Sequence, residues 1–197
     1  MLRSLFFSFI VLVSTATLAE SSKTPKTPQQ DFVHTVAEDV LEAVRSGKND
    51  AAIRAELENI FSRYIDIDWV GRFVLGRHWR TASEAQKKQF IDAYRAFMIG
   101  SYTDRLKEYS GEHYQVNLPR NLSDNKYALT LELFREQGKP ILIDYKIREA
   151  GSTYKIYDIV VEGISLITTQ RAEFDSVISR KGLDALIKAL NKKANRT

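Results

Sequence analysis

Lys126-Tyr127-Ala128-Leu129-Thr130-Leu131-Glu132-Leu133-Phe134-Arg135-Glu136, then Gln137-Gly138-Lys139-Pro140, then Ile141-Leu142-Ile143-Asp144-Tyr145-Lys146-Ile147 is the stretch that decides the fold. Side chains alternate along an extended chain, so Tyr127, Leu129, Leu131 and Leu133 share one side while Thr130 and Glu132 take the other. The Gln-Gly-Lys-Pro segment has turn chemistry, and Ile141, Ile143, Tyr145 and Ile147 repeat the alternation beyond it. Ala150-Gly151-Ser152 turns again into Thr153 to Val161, and His113 to Leu118 adds a strand in front. Together these segments predict an antiparallel meander of about four strands with one apolar face.

Helical periodicity flanks the meander on both sides. Val33, Val36, Val40 and Val44 recur every three or four residues between Asp31 and Ser46, with Gly47 as a stop. Asn49 or Asp50 caps a second helix with the stripe Ile53, Leu57, Ile60 and Tyr64. A short helix capped by Asp68 runs to Gly76. Ser83-Glu84-Ala85-Gln86 has the form of a capping box, and the long helix it opens stacks Tyr94, Phe97, Met98, Tyr102, Leu106 and Tyr109 on one side before Gly111. Two helices close the chain, from Thr169 to about Arg180 and from Leu183 to Lys193. This order of elements predicts an α+β fold with helices laid over one face of the sheet.

The chain has 197 residues, enough for one ordinary domain but not for two large catalytic ones. It contains no cysteine, which removes disulfides, thiolate metal sites and cysteine nucleophiles together. The net charge of +4 comes with no basic stripe interleaved with aromatics, so nucleic acid is not an expected partner. At the start, Met1-Leu2-Arg3 precedes an apolar run from Leu5 to Val13 and the small-x-small site Thr17-Leu18-Ala19. That pattern predicts a secretory signal peptide over 1–19 cleaved near Ala19, a flexible lead-in over 20–30, and a single domain over 31–197. A membrane anchor would need roughly 20 apolar residues, far more than the run supplies.

Catalytic and metal signatures fail on their spacing. Gly71 and Gly76 have the separation of phosphate-loop glycines, but Arg77-His78 stand where Lys and Ser/Thr belong, and no strand precedes them. Asp66-Ile67-Asp68 lacks the remaining ligands of a calcium loop, which leaves helix capping as its role. His34, His78 and His113 have no metal-ligand spacing, and Gly-x-Ser-x-Gly does not occur. Asp144 and Asp158, each inside a predicted strand, are the remaining acid or base candidates, with an ion-paired carboxylate the more common reading. No catalytic residue, metal or cofactor is assigned. What remains is abundant inward-facing apolar surface. Periodicity does not separate a filled interior from a hollow one, because both need the same side chains.

Phe73-Val74-Leu75-Gly76-Arg77-His78-Trp79, followed by Ala82-Ser83-Glu84-Ala85-Gln86, resembles the first block of the MlaC family of periplasmic phospholipid carriers, also called toluene-tolerance proteins. The run from Tyr157 through Asp158-Ile159-Val160-Val161-Glu162-Gly163-Ile164-Ser165-Leu166-Ile167 to Arg171 resembles its second block. The resemblance spans most of residues 31 to 192. It implies a nuclear-transport-factor-2-like sheet with a helical subdomain and a deep apolar pocket for acyl chains. It further implies a phospholipid cargo shuttled between an outer-membrane lipoprotein-porin complex and an inner-membrane ABC transporter complex, which maintains outer-membrane lipid asymmetry.

On that resemblance the expected lining is Leu75, Met98, Tyr102, Leu106, Leu131, Ile141, Ile143, Tyr145, Val161 and Ile164, with Arg77 and Arg171 as headgroup or partner contacts. Two alternatives stay open: a small-molecule isomerase or dehydratase on the same fold, which needs a buried Asp144 or Asp158 with a perturbed pKa, and a solid-cored secreted interaction protein. Ile164→Glu is expected to abolish lipid retention on this placement, and lipid loading of that variant measures it.

Overall fold

The apolar side of the meander becomes the inner face of a mixed structure with the order α1 (Pro28–Arg45), α2 (Asp50–Tyr64), α3 (Ile67–Leu75), a 3-10 helix (Gly76–Arg80), α4 (Glu84–Lys107), β1 (Tyr114–Val116), β2 (Arg120–Ser123), β3 (Lys126–Leu133), β4 (Ile141–Ala150), β5 (Thr153–Val161), β6 (Ile164–Ser165), α5 (Leu166–Lys181) and α6 (Leu183–Ala194). This computed structural model describes residues 26–46, 49–107, 113–134 and 138–194, with the backbone alone over 102–107. The expected leader segment, Gly47, Tyr109, Gly111 and Gln137 lie outside the described residues.

The sheet is antiparallel in the order β1-β3-β4-β5-β6, with β2 also beside β3. Residues directly opposite in a ladder share a face. One row therefore runs Val116, Leu131, Ile143, Val161, Ile164, and the next runs Leu129, Tyr145, Ile159. In β5, Asp158 lies opposite Lys146 and Ile156 opposite Ile147, so Tyr157 is the extra residue of a bulge. The sheet has six strands rather than about four. The additional β2 and β6 have four and two residues, too few to display an alternation. The turn into β6 uses Glu162 and Gly163 at φ 49° and 81°.

Capping chemistry sets the helix starts. Ser83 Oγ accepts from Gln86 N at 3.2 Å, and Gln86 Oε1 accepts from Ser83 N at 3.1 Å, completing the expected box. A second box lies earlier than the sequence reading placed a helix. Thr27 Oγ1 accepts from Gln30 N and Gln30 Oε1 from Thr27 N, with Pro28 in the first turn, so the last three residues of the expected lead-in are helical. Asp66 rather than Asp68 caps α3, accepting from Trp69 N at 3.3 Å. Ser165 caps α5, which therefore begins three residues before Thr169. Gly71 lies inside α3 rather than in a loop. A Cβ there would stand 2.1 Å from Ile91 Cδ1, so the glycine lets α3 and α4 approach.

Three small cores hold these elements. Val74, Leu75, Phe90, Tyr94, Phe174 and Leu186 join α3 to α6. Phe32, Val33 and Val36 of α1 cover Leu129, Leu131 and Ile147 of the sheet. Ala43, Ile53 and Leu57 join α1 to α2. The link between α2 and α3 is stitched to the sheet: Ile65 bridges Ile156, Asp66 N donates to Ile156 O at 2.9 Å, and Arg148 Nε donates to Asp66 Oδ2 at 2.5 Å. Asp66 thus serves a helix cap and a tie to β4 at once. Asp66→Ala removes both, and we expect a loss of about 2 kcal/mol and a Tm lower by roughly 4–8 °C in thermal denaturation. An unchanged Tm would mean that the junction is held by other contacts.

Candidate functional site

Because α1 covers the β1 and β3 side of the inner face, and α3 to α6 pack chiefly on one another, the β4 and β5 side is left facing a gap. That gap is a cavity of about 280 Å³. A single water needs roughly 10–15 Å³ on this measure, so the space is far more than a packing defect. Val36 and Val40 of α1, Leu57, Ile60 and Phe61 of α2, and Met98 and Ile99 of α4 form one side. Ile143, Tyr145, Ile156, Ile159 and Val161 of the sheet, with Leu166 and Ile167 of α5, form the other.

Of the residues expected to line a pocket, Met98, Ile143, Tyr145 and Val161 are brought together here. Leu131 stands on the correct face but under α1, where it is filled-in core. Ile141 is half-buried against that same core. Leu75 is 1% exposed in the helical core and turns away from the cavity. Ile164 is corrected most sharply. It follows Val161 in the same row, but it belongs to the last strand and is 62% exposed. A carboxylate placed there would meet water, so the Ile164→Glu expectation loses its physical basis. The side chains of Tyr102 and Leu106 lie outside the described residues.

Several lining residues went unassigned in the sequence reading. Val36, Val40, Leu57 and Ile60 were legible only as helix stripes, a signal that gives a face but not what the face meets. Ile159 and Ile167 stood in the second block without a role.

Arg77 and Arg171 do not line the cavity. They border a separate cleft with Leu75, Gly76, Thr168 and Asp175. Arg77 reaches Asp175 at 3.1 Å and Ser179 Oγ at 3.2 Å, and the Arg171 guanidinium lies 4.9 Å from the Phe73 ring centre. His78 Nε2 is 2.8 Å from Asp175, and that hydrogen bond, assisted by the Arg77 charge, holds the Asp175 carboxyl below its ordinary range. Gly76, at φ 52°, leaves room for the Arg171 guanidinium, which would stand 3.0 Å from an added Cβ.

The two candidate carboxylates part company. Asp144 points to the outer face, bonded to Thr130 Oγ1 at 2.5 Å and Arg120 at 3.2 Å. Asp158 borders the cavity and is 4% exposed, yet both of its oxygens are occupied. Lys146 Nζ donates to Oδ2 at 3.0 Å, Ser165 Oγ to the same oxygen at 2.9 Å, and Ile167 N to Oδ1 at 3.5 Å. The group ties β4, β5 and the start of α5 together. The histidines are likewise dispersed: His34 meets Tyr114, His78 meets Asp175, and His113 stacks on Phe134. Among the described residues no helix is long and apolar enough to cross a membrane.

A sheet and a helical group leave an apolar chamber between them, and Asp158, the carboxylate that borders it among the described residues, is paired with Lys146. A model described as MlaC protein matches residues 34–192, and the chain belongs to the MlaC family. Among curated relatives, the intermembrane phospholipid transport system binding protein MlaC of Haemophilus influenzae is 21% identical over 96% of this chain and 93% of its own. Toluene tolerance protein ttg2D of Pseudomonas putida is 21% identical over 89% of this chain and 82% of its own. A phospholipid-binding protein from Ralstonia solanacearum, solved in complex with a phospholipid, shares the fold with a TM-score of 0.74. It is 22% identical and covers 86% of this chain and 98% of that one.

The contrast between the carboxylates is testable by chemical denaturation. Asp158→Ala removes a buried acceptor shared by the half-buried Lys146 ammonium, Ser165 Oγ and Ile167 N, and is expected to cost about 2 kcal/mol. Asp144→Ala, facing solvent with an exposed arginine, is expected to cost below about 1 kcal/mol. Equal losses would remove the distinction between a structural tie and a surface pair.

Proposed function

We propose that this protein is an exported, periplasmic carrier that encloses the acyl chains of a phospholipid in the cavity between α1, α2, α4 and β4–β5. The observation that carries the reading is the cavity itself: an apolar chamber whose charged neighbour, Asp158, is already paired. The phospholipid bound by the Ralstonia solanacearum protein of the same fold supports it. The signal-like start of the sequence supports export.

The physics of carriage follows from burial. Each methylene kept from water is worth about 0.8 kcal/mol, so two chains of some 15 methylenes would cost on the order of 24 kcal/mol to expose. A free lipid therefore does not cross an aqueous gap at a useful rate. A bilayer and an apolar cavity offer the tails nearly equal surroundings, so loading and unloading are close to neutral, and direction is set by the membrane complexes at either side. The family resemblance supports an outer-membrane lipoprotein-porin complex and an inner-membrane ABC transporter complex as those partners. The charged phosphate stays at the mouth, where water solvates it. Arg77 and Arg171, outside the chamber, are better placed for partner contact than for the headgroup of an enclosed lipid.

An isomerase or dehydratase would need a free acid or base in the chamber. Asp158 is the carboxylate at that position, and its oxygens are committed to Lys146, Ser165 and Ile167. The carrier reading needs no catalytic group.

Native mass spectrometry of the purified mature protein tests the reading, with co-purified diacyl lipid the expected result. Val161→Glu puts a carboxylate into the chamber wall and should reduce retained lipid about tenfold or more. Ile164→Glu, one strand further out and exposed, should retain it. A wild-type protein that carries no lipid and takes none up from vesicles would overturn the proposal.

A further inference from the structure

Four tyrosines reach the cavity: Tyr64, Tyr94, Tyr145 and Tyr157. Two of them have their hydroxyls bonded within the protein, and the ring of a third is held by its neighbours. Tyr64 donates to Asp39 Oδ2 at 2.6 Å, and Tyr94 donates to Gln170 Oε1. Tyr157, the bulge residue, is turned edge-on to Trp69 at 5.2 Å, with the Lys126 ammonium 5.7 Å from its ring centre. Tyr145 differs. It sits in the middle of β4, with Leu129 and Ile159 opposite it and Ile143 and Ile147 beside it on the same face. Those neighbours are all aliphatic, and no group among the described residues bonds the Tyr145 hydroxyl. Burial alone raises its pKa to about 12, so the phenol is neutral and carries its proton at any physiological pH.

The Tyr145 side chain is half-buried and lines the chamber, and a phenylalanine would fill the same space, so the hydroxyl is what distinguishes the residue there. A hydroxyl that bonds no protein group is free to donate to whatever fills the chamber. Acyl methylenes offer no acceptor. A phosphate would bring its charge into apolar surroundings, and the nearby ammonium of Lys146 is already bonded to Asp158 at 3.0 Å. The strong neutral acceptor attached directly to an acyl chain is the ester carbonyl.

We propose that the Tyr145 hydroxyl donates a hydrogen bond to an acyl ester carbonyl of the bound glycerolipid, fixing the depth at which the junction of glycerol and chain is seated. Tyr145 is on this view a specificity residue, which selects ester-linked lipids over ether-linked or purely hydrocarbon occupants of equal length. The inference rests on the carrier reading above and sharpens it.

The test is competition between diester and diether phosphatidylglycerol with identical chains for the delipidated full-length mature protein, read by native mass spectrometry. One neutral hydrogen bond corresponds to about a fivefold preference for the diester. Tyr145→Phe should bring the ratio near one, with a cooperative thermal transition showing that the variant is folded. Equal uptake of both lipids by the wild type, or an undiminished preference in Tyr145→Phe, would overturn the inference and leave the carrier reading standing. Uptake of neither lipid by the wild type would overturn both. The wild-type ratio requires no variant, so the proposal stays testable even if the substitution impairs folding.

Discussion

An apolar gap in water tends to close, and this fold keeps one open by fastening its walls at their edges with directional bonds. Hydrophobic attraction has no preferred spacing, so it would draw α2 and α4 down onto β4 and β5 if nothing resisted. The resistance is polar. Asp158 with Lys146 and Ser165 sets the start of α5 against β5. Asp66, bonded to Arg148 and Ile156, fixes the link between α2 and α3. Lys155 reaches the carbonyl oxygens of Ser62 and Arg63 at the end of α2. Gln30 Nε2 donates to Val116 O at 3.2 Å, and Tyr114 bonds Glu38, so α1 is fastened to β1. Each tie lies at the margin of an apolar surface, and none crosses the chamber.

This arrangement divides the work between two kinds of interaction. The three small cores provide stability, and the polar ties determine where those cores stand relative to one another. The chamber is what remains between them. It also explains how a carboxylate can border an apolar site: Asp158 serves the frame, and its charge is balanced within the frame. A chamber so built discriminates by shape and by the few polar atoms left facing inward.

Much of the fold was legible in the sequence because the relevant signals are local. The alternation from Lys126 to Ile147 gives β3 and β4 with the correct inner face, and Ser83 with Gln86 gives the start of α4. Thr27-Pro28-Gln29-Gln30 carries an equally local signal, a capping box hidden in a stretch whose Pro and Thr content reads as a lead-in. The site was legible only in half. Leu131, Ile143, Val161 and Ile164 occupy one row, and no sequence pattern distinguishes the member beneath α1, the two that meet the gap, and the one at the uncovered edge. That distinction depends on the breadth of α1 against the breadth of the sheet, which is a tertiary quantity. Asp158 shows the same limit. Its place in a strand was readable, but its partner Ser165 comes from a chain reversal at Glu162 and Gly163.

The outermost strands are short: β1 has three residues and β6 only two. A long free strand invites a neighbouring molecule to extend the ladder, and polymers begin that way. Here β6 covers only Val160 and Val161 of the β5 edge, and the link between α2 and α3 meets that edge at Ile156. A cap of two residues and a crossing link leave a second copy little continuous ladder on which to build.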